Sequence, residues 1–208
     1  MSESPGITGV ILAGGESTRF GSSKSMALLG GRTLIEHVVA RAVPQVGRLI
    51  ISANAEIAVK AVAGFPVLRD DIGPSRGPLA GILTAMTWMV RNLPDSRWLA
   101  SFPVDSPLFP LDLVARLRDA AGGEGRPVIA SSGGRAHPTF GLWPLSLRLD
   151  LQRYLLESKR SAAMDFARMV QSGEAVFSTD PFDPFLNINH HDDLAAAAEA
   201  VRESGMEF

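Results

Sequence analysis

Short apolar runs alternate with stretches whose apolar positions recur every three to four residues, and this continues along the chain. The runs read as buried strands and the periodic stretches as amphipathic helices. Strands are expected at about residues 9–13, 48–54, 66–68, 98–104, 128–131, 138–143 and 175–178, with a short one near 185–188. Helices are expected at about 33–44, 56–63, 77–92, 111–121, 146–156, 162–171 and 190–203. This alternation predicts a mostly parallel sheet with helices on both faces. Ligands on such sheets sit at the carboxyl ends of the strands, where the strand order reverses. A Gly-rich stretch, Asn54, Asp70 and Asp105 each follow an expected strand, so one crevice should collect them. With no repeat and no clear linker, residues 1–208 are expected to form one domain. The Gly122-Gly-Glu-Gly125 stretch is expected to be a flexible surface loop.

The most informative segment is Val10-Ile-Leu-Ala-Gly-Gly-Glu-Ser-Thr-Arg-Phe-Gly-Ser-Ser-Lys24. An apolar strand breaks into a loop that carries Gly14, Gly15 and Gly21, with Arg19 and Lys24 among them. Glycines let backbone N–H groups approach a ligand closely, and successive N–H groups form a concavity suited to anions. Two long cations add full charge, so a polyphosphate is the expected guest. The spacing excludes two better-known phosphate loops. Walker A requires Lys directly after its second Gly, whereas Ser22 and Ser23 intervene here. The dinucleotide fingerprint requires Gly-x-Gly-x-x-Gly, whereas this loop reads Gly-Gly-x5-Gly.

Charge and composition narrow the setting. The net charge is −2, so no global field draws the chain to nucleic acid or an anionic membrane. A polyanion must then be held by local cations and a metal. Cysteine is absent, which removes disulfides, thiolate metal sites and a Cys nucleophile. The amino-terminal residues lack the pattern of a signal peptide, and no apolar run is long enough to span a membrane. A cytoplasmic, soluble protein is expected.

Other groups add to the picture unequally. The 98–104 run delivers Asp105 at its end, and a lone strand-terminal carboxylate suits Mg²⁺, which takes one or two carboxylates plus phosphate oxygens and water. The alternative role, capping the helix near Leu111, is disfavoured by distance along the chain. Asp70-Asp71-Ile-Gly-Pro-Ser-Arg-Gly-Pro-Leu-Ala-Gly81 joins two acids to a second small-residue loop, against which a flat base could slide. Arg76 reads either as a phosphate contact or as a surface arginine. His137 reads equally as a contact to a second substrate or as a hydrogen-bonded structural histidine. No Gly-x-Ser-x-Gly elbow accompanies it, so a hydrolase triad is not suggested. His190-His191-Asp192-Asp193 reads as a helix start rather than a metal cluster, with Asn189 as cap and Asp192 at the third helical position.

Taken together, Ile7–Gly15, Arg19, Gly21, Lys24, Gly77-Pro-Leu-Ala-Gly81, Asp105-Ser-Pro, His137-Pro-Thr139 and Leu186-Asn-Ile-Asn189 resemble the MobA-type molybdenum cofactor guanylyltransferase family, within the nucleotidyltransferase superfamily. The resemblance implies a three-layer α/β/α, Rossmann-like nucleotidyltransferase fold with a mostly parallel mixed sheet. It also implies that Leu12, Ala13, Gly14 and Gly15 line the nucleotide, that Arg19 and Lys24 hold its phosphates, and that Asp105 binds Mg²⁺. Asn54 and Asp70 fall where the family contacts the nucleotide. Gly77, Pro78 and Gly81 fall near the guanine, and Asn187 and Asn189 on the pterin side. Two positions depart from the pattern: Ser23 stands where an acid often precedes the loop lysine, and Ser52 replaces the first Asn of an Asn-x-Asn that ends at Asn54.

The reaction so implied is attack of a molybdopterin terminal phosphate on the α-phosphorus of GTP, with release of pyrophosphate. Such transfers need alignment and charge neutralisation rather than a covalent nucleophile, which matches the absence of an obvious general base. Arg19, Lys24 and Asp105 would carry the catalysis. Expected partners are GTP, a molybdopterin-type cofactor and, transiently, proteins that supply the cofactor or mature molybdoenzymes. The alternatives are a molybdopterin cytidylyltransferase, a sugar-1-phosphate nucleotidyltransferase, or a nucleotide-binding protein without turnover.

Overall fold

Consecutive residues of each central strand feed opposite sides of one sheet. In β1 (Ile7–Leu12), Ile11 packs into one core while Val10 and Leu12 pack into the other. The same split separates Leu49 and Ile51 from Ile50 on β4 (Arg48–Ser52), and Ala100 and Phe102 from Leu99 on β6 (Trp98–Pro103). A strand buried on both faces must be apolar almost throughout, which is why these segments read as continuous runs.

The computed structural model describes residues 6–14, 24–53, 62–69, 77–122, 125–158 and 162–205. Within them the chain forms a short hairpin of β2 (Leu28–Leu29) and β3 (Arg32–Thr33), then α1 (Leu34–Ala42), β4 and β5 (Val67–Leu68). It continues through α2 (Pro78–Asn92), β6, α3 (Leu113–Ala121), β7 (Val128–Ser132) and β8 (Arg135–Pro144). The last elements are α4 (Arg148–Glu157), α5 (Ala163–Met169), β9 (Gly173–Phe177) and α6 (His191–Ser204). The large sheet has the order β5-β4-β1-β6-β8-β7-β9, and only β8 runs against the rest. Side chains of α1, α3 and α6 fill the core on one face, and those of α2, α4 and α5 fill the other. The expected three-layer α/β/α arrangement with a mostly parallel mixed sheet is therefore observed.

Most elements fall within a few residues of expectation, and the differences have local causes. The 33–44 helix begins one residue late because Thr33 caps it: the Thr33 hydroxyl accepts from Glu36 N–H, and Glu36 Oε2 accepts from Thr33 N–H at 2.7 Å. The expected strand near 185–188 is absent; those residues form an irregular strap. The expected 138–143 strand is longer, since Gly133 and Gly134 (φ 54° and 77°) turn β7 directly into β8. Two glycines with positive φ between two strands make a tight hairpin. Most of the expected 56–63 helix, and Gly123 and Glu124, lie outside the described residues.

β4 lies on one side of β1 and β6 on the other, so the strand order reverses at β1. Helix α2 starts beside that point. A Cβ built on Gly81 would lie 2.6 Å from Ser52 Oγ and 2.9 Å from Leu12 Cδ2, so only glycine lets the first turn of α2 approach the ends of β1 and β4. Gly77, with φ of 62°, makes the turn into the helix, and Pro78 occupies its first position, where a missing N–H costs nothing. Among the described residues, no helix is long and apolar enough to cross a membrane.

Gly81→Ala is expected to destabilise the protein by about 1–3 kcal/mol through overpacking. Chemical denaturation should show a lower midpoint with an unchanged slope.

Candidate active site

Parallel strands present their last carbonyls and the loops that follow on a common edge, and here that edge is kept in register beyond the strands. Ala13 N–H donates to Ser52 O (2.8 Å), Ala53 N–H to Leu68 O (2.9 Å), and Val104 N–H to Leu12 O (3.2 Å). These bonds fix the path of the chain as it leaves β1 and β6. Leu12 is buried, whereas Ala13 and Gly14 are partly exposed, as suits residues that line a crevice.

Asp105 follows β6 on this edge, and the strap over 183–189 crosses beside it: Ile188 N–H donates to the Asp105 carbonyl at 2.7 Å. The Asp105 carboxylate accepts from Lys24 Nζ at 2.9 Å. Lys24 also donates to Asn189 Oδ1 at 2.7 Å. The Lys24 and Asp105 side chains are 17% and 26% exposed, so the pair is neither buried nor freely solvated. Residues 165 apart in sequence thus meet around one ammonium group. The structure brings together Lys24, Asp105 and Asn189, three of the residues singled out by sequence, and places Asn187 exposed two residues away. Gly15, Arg19, Asn54, Asp70 and Arg76 lie outside the described residues.

The 190–193 segment is a helix start, as expected, but one residue out of step. His190 is the cap, and Asp193, rather than Asp192, holds the third helical position. The reason is visible in the hydrogen bonds: Asp193 Oδ2 accepts from Asn189 N–H (2.6 Å) and His190 N–H (2.8 Å), two donors without a helical partner. These bonds, with Lys24 nearby, hold the Asp193 carboxyl below its ordinary pKa. Asp105 caps no helix, since α3 begins after Asp112. Among the described residues no three His, Asp or Glu side chains gather into a metal cluster, so a cation here would rest on few protein ligands and on its substrate.

His137 belongs to a network that the separate sequence segments did not suggest. Ser132 Oγ lies 2.8 Å from His137 Nε2 and 2.8 Å from Asp183 Oδ1. The Gly133-Gly134 pair was the available signal, because a tight hairpin there sets Ser132 beside the start of β8.

A model for the MobA-like NTP transferase domain matches residues 9–174. The molybdenum cofactor guanylyltransferase of Rhodopseudomonas palustris strain HaA2 is 39% identical over 206 residues, covering 98% of this chain and 96% of that protein. The chain belongs to the MobA-like NTP transferase family. Membership makes it a nucleotidyltransferase. Solved structures agree on the family fold. The molybdopterin-guanine dinucleotide biosynthesis protein A of Archaeoglobus fulgidus superposes with a TM-score of 0.71 at 20% identity, covering 94% of this chain and 99% of that one. A Mycobacterium tuberculosis protein solved as a manganese complex superposes with a TM-score of 0.64 at 17% identity, covering 93% of this chain and 98% of that one.

The Asp193 contacts generate a pH prediction. A folded-state pKa below the unfolded value means the carboxylate stabilises the fold fully above the unfolded pKa and ceases to do so as pH falls through the folded one. Asp193→Ala should therefore be less stable than the parent at about pH 7, and the gap should close toward about pH 2. Denaturation midpoints of both proteins across that range provide the check.

Proposed function

We propose that this chain is a molybdenum cofactor guanylyltransferase, transferring GMP from GTP to the terminal phosphate of the molybdenum–molybdopterin cofactor with release of pyrophosphate. Near-full-length similarity to a guanylyltransferase of that name supports the reading. The observation that carries it is the meeting of Lys24, Asp105 and Asn189 beside the strand-order reversal. A cation, a hard anionic ligand and a polar amide at one point suit a triphosphate on one side and a second substrate on the other.

In this reading Leu12, Ala13, Gly14 and Gly15 line the nucleotide, and Arg19 and Lys24 neutralise its phosphates. Asn54 and Asp70 contact the nucleoside, Gly77, Pro78 and Gly81 lie along the guanine, and Asn187 and Asn189 face the pterin. The Asp105 carboxylate is a partly exposed oxygen donor at a strand end, which fits Mg²⁺ bound through one carboxylate, phosphate oxygens and water. Bound there, Mg²⁺ would neutralise charge on the triphosphate and on the departing pyrophosphate. The chain's own work is alignment and electrostatics: Lys24 holds phosphate charge in place, and the bonded edge keeps the end of β1 in register with the end of β6, which Asp105 follows. A phosphate monoester is a competent nucleophile near neutral pH, so no side chain needs to remove a proton.

We take residues 1–208 as one domain acting in the cytoplasm on GTP and a molybdopterin-type cofactor. Contacts with cofactor-supplying or molybdoenzyme-maturation proteins would be transient, and the net charge of −2 supports no role on nucleic acid or membranes.

Asp105→Asn is expected to lower turnover with GTP, molybdopterin and saturating Mg²⁺ on the order of 10²–10³-fold, while circular dichroism stays unchanged. Retention of most activity would remove Asp105 from the metal site. Guanine offers two N–H donor groups and one acceptor, and a pocket matched to them leaves polar groups unpaired around the smaller cytosine. GTP should therefore exceed CTP by more than about tenfold in kcat/KM with the same acceptor. Equal rates, or a preference for CTP, would reassign the chain as a cytidylyltransferase.

A further inference from the structure

The Ser132–His137–Asp183 network fixes where its protons lie. A hydroxyl has one proton to give, and a carboxylate can only accept. Asp183 Oδ1 accepts from Phe185 N–H (3.0 Å) and from the Ser132 hydroxyl (2.8 Å). With its proton committed to Asp183, Ser132 Oγ can only accept from His137 Nε2 at 2.8 Å. His137 Nε2 therefore carries hydrogen, and in a neutral imidazole Nδ1 is then a bare acceptor. Ser132 is 1% exposed, so solvent does not share this arrangement. The imidazole plane is held against Phe185, with ring centroids 4.8 Å apart. Burial pushes the His137 pKa down, Asp183 opposes this and Arg135 reinforces it, so the neutral form is favoured.

This is not an acyl-transfer triad. The acid meets the serine rather than the histidine, and the serine proton points away from the imidazole that would have to take it. What the network does is orient an acceptor. It does so on the edge of the sheet that holds the Lys24–Asp105 pair, since His137 stands at the start of β8 beside the end of β7. The strap links the two places physically. Asp183 is tied to Ser132, Phe185 packs on His137, Ile188 is bonded to Asp105, and Asn189 to Lys24. Among the described residues, His137 Nδ1 makes no hydrogen bond, and the residue is only half-buried. A buried serine and a carboxylate thus fix one imidazole nitrogen and leave the other to a ligand.

We propose that His137 is a specificity-determining residue of the acceptor site, its Nδ1 accepting a hydrogen bond from a ring N–H or amino group of a nitrogen heterocycle. The identity of that heterocycle as the pterin rests on the functional reading above. The tautomer does not. A site built to receive an N–H donor discriminates against acceptors that lack one, because the half-buried partner is left unpaired.

Two substitutions separate this role from a structural one. Gln places its amide nitrogen where His has Nε2, so His137→Gln keeps the donor to Ser132 and loses the acceptor. Asn places an amide oxygen near the position of Nδ1, so His137→Asn loses the tether and keeps an acceptor. Nitrogen-15 NMR of histidine-labelled protein should show His137 as the Nε2–H tautomer, its signal identified by its loss in His137→Gln. KM for molybdopterin should rise about tenfold or more in His137→Gln and less in His137→Asn. KM for GTP should be unchanged in both. An Nδ1–H tautomer in the parent, a parental molybdopterin KM in His137→Gln, or a larger defect in His137→Asn would each overturn the proposal. A parent protein that makes no product from GTP and molybdopterin would overturn the pterin assignment through the functional reading, whereas normal parental turnover with an unaffected His137→Gln overturns the role of His137 alone.

Discussion

Asp105 is held twice, and the site is organised around that fact. Its carbonyl takes the Ile188 N–H, which fastens the strap, and its carboxylate takes the Lys24 ammonium, which fastens the far end of the Gly-rich segment. Both contacts sit just beyond the place where β6 lies beside β1, where Val104 N–H donates to Leu12 O. Removing charge from Asp105 takes away the carboxylate that pairs with the Lys24 ammonium and leaves the Lys24–Asn189 bond in place.

The approach of α2 to the same edge is the steric counterpart. Gly81 lets a helix start come within contact distance of Ser52 and Leu12, which aims the positive end of the α2 dipole at the region where the strand order reverses. Any larger side chain there would move the helix away, or Ser52, and with it the backbone bond from Ala13 to Ser52. Packing below the crevice and charge beside it are thus set by neighbouring residues of β1, β4 and β6.

The layered sheet was legible in the sequence because doubly buried strands leave continuous apolar runs and amphipathic helices leave periodic ones. Lys24 and Asp105 were legible as chemistry, since a spaced cation in a Gly-rich loop and a carboxylate after a strand have few other uses, whereas Asn189 read as a helix cap and was singled out only by the family resemblance. That Lys24 and Asp105 share one edge was also legible, since each follows a strand, but the arrival of Asn189 at the same ammonium was not, because a hydrogen bond across 165 residues leaves no local pattern. The apolar residues 185–188 read as a strand for a related reason: Phe185 and Ile188 are buried, but Phe185 packs on His137 and Phe140 of β8 and Phe177 of β9, and neither residue pairs into the sheet. The shift of the α6 start by one residue shows the same limit. Asp192 and Asp193 are adjacent acids in sequence, and with His190 as cap it is Asp193 that reaches back to the Asn189 and His190 N–H groups.

The open sides of the large sheet receive different treatment. At one edge β5 pairs over only two residues. At the other, β9 exposes Glu174 and Val176, the latter 69% accessible, and an exposed edge strand can pair with a second chain. Arg116 of α3 reaches around this edge, its guanidinium donating to the Val176 carbonyl and lying 4.0 Å from the Phe177 ring centroid. An incoming strand would have to dislodge a cation from both an acceptor and an aromatic face before it could form its first ladder bond. One surface arginine thereby occupies an acceptor and an aromatic face on the outermost strand of the sheet.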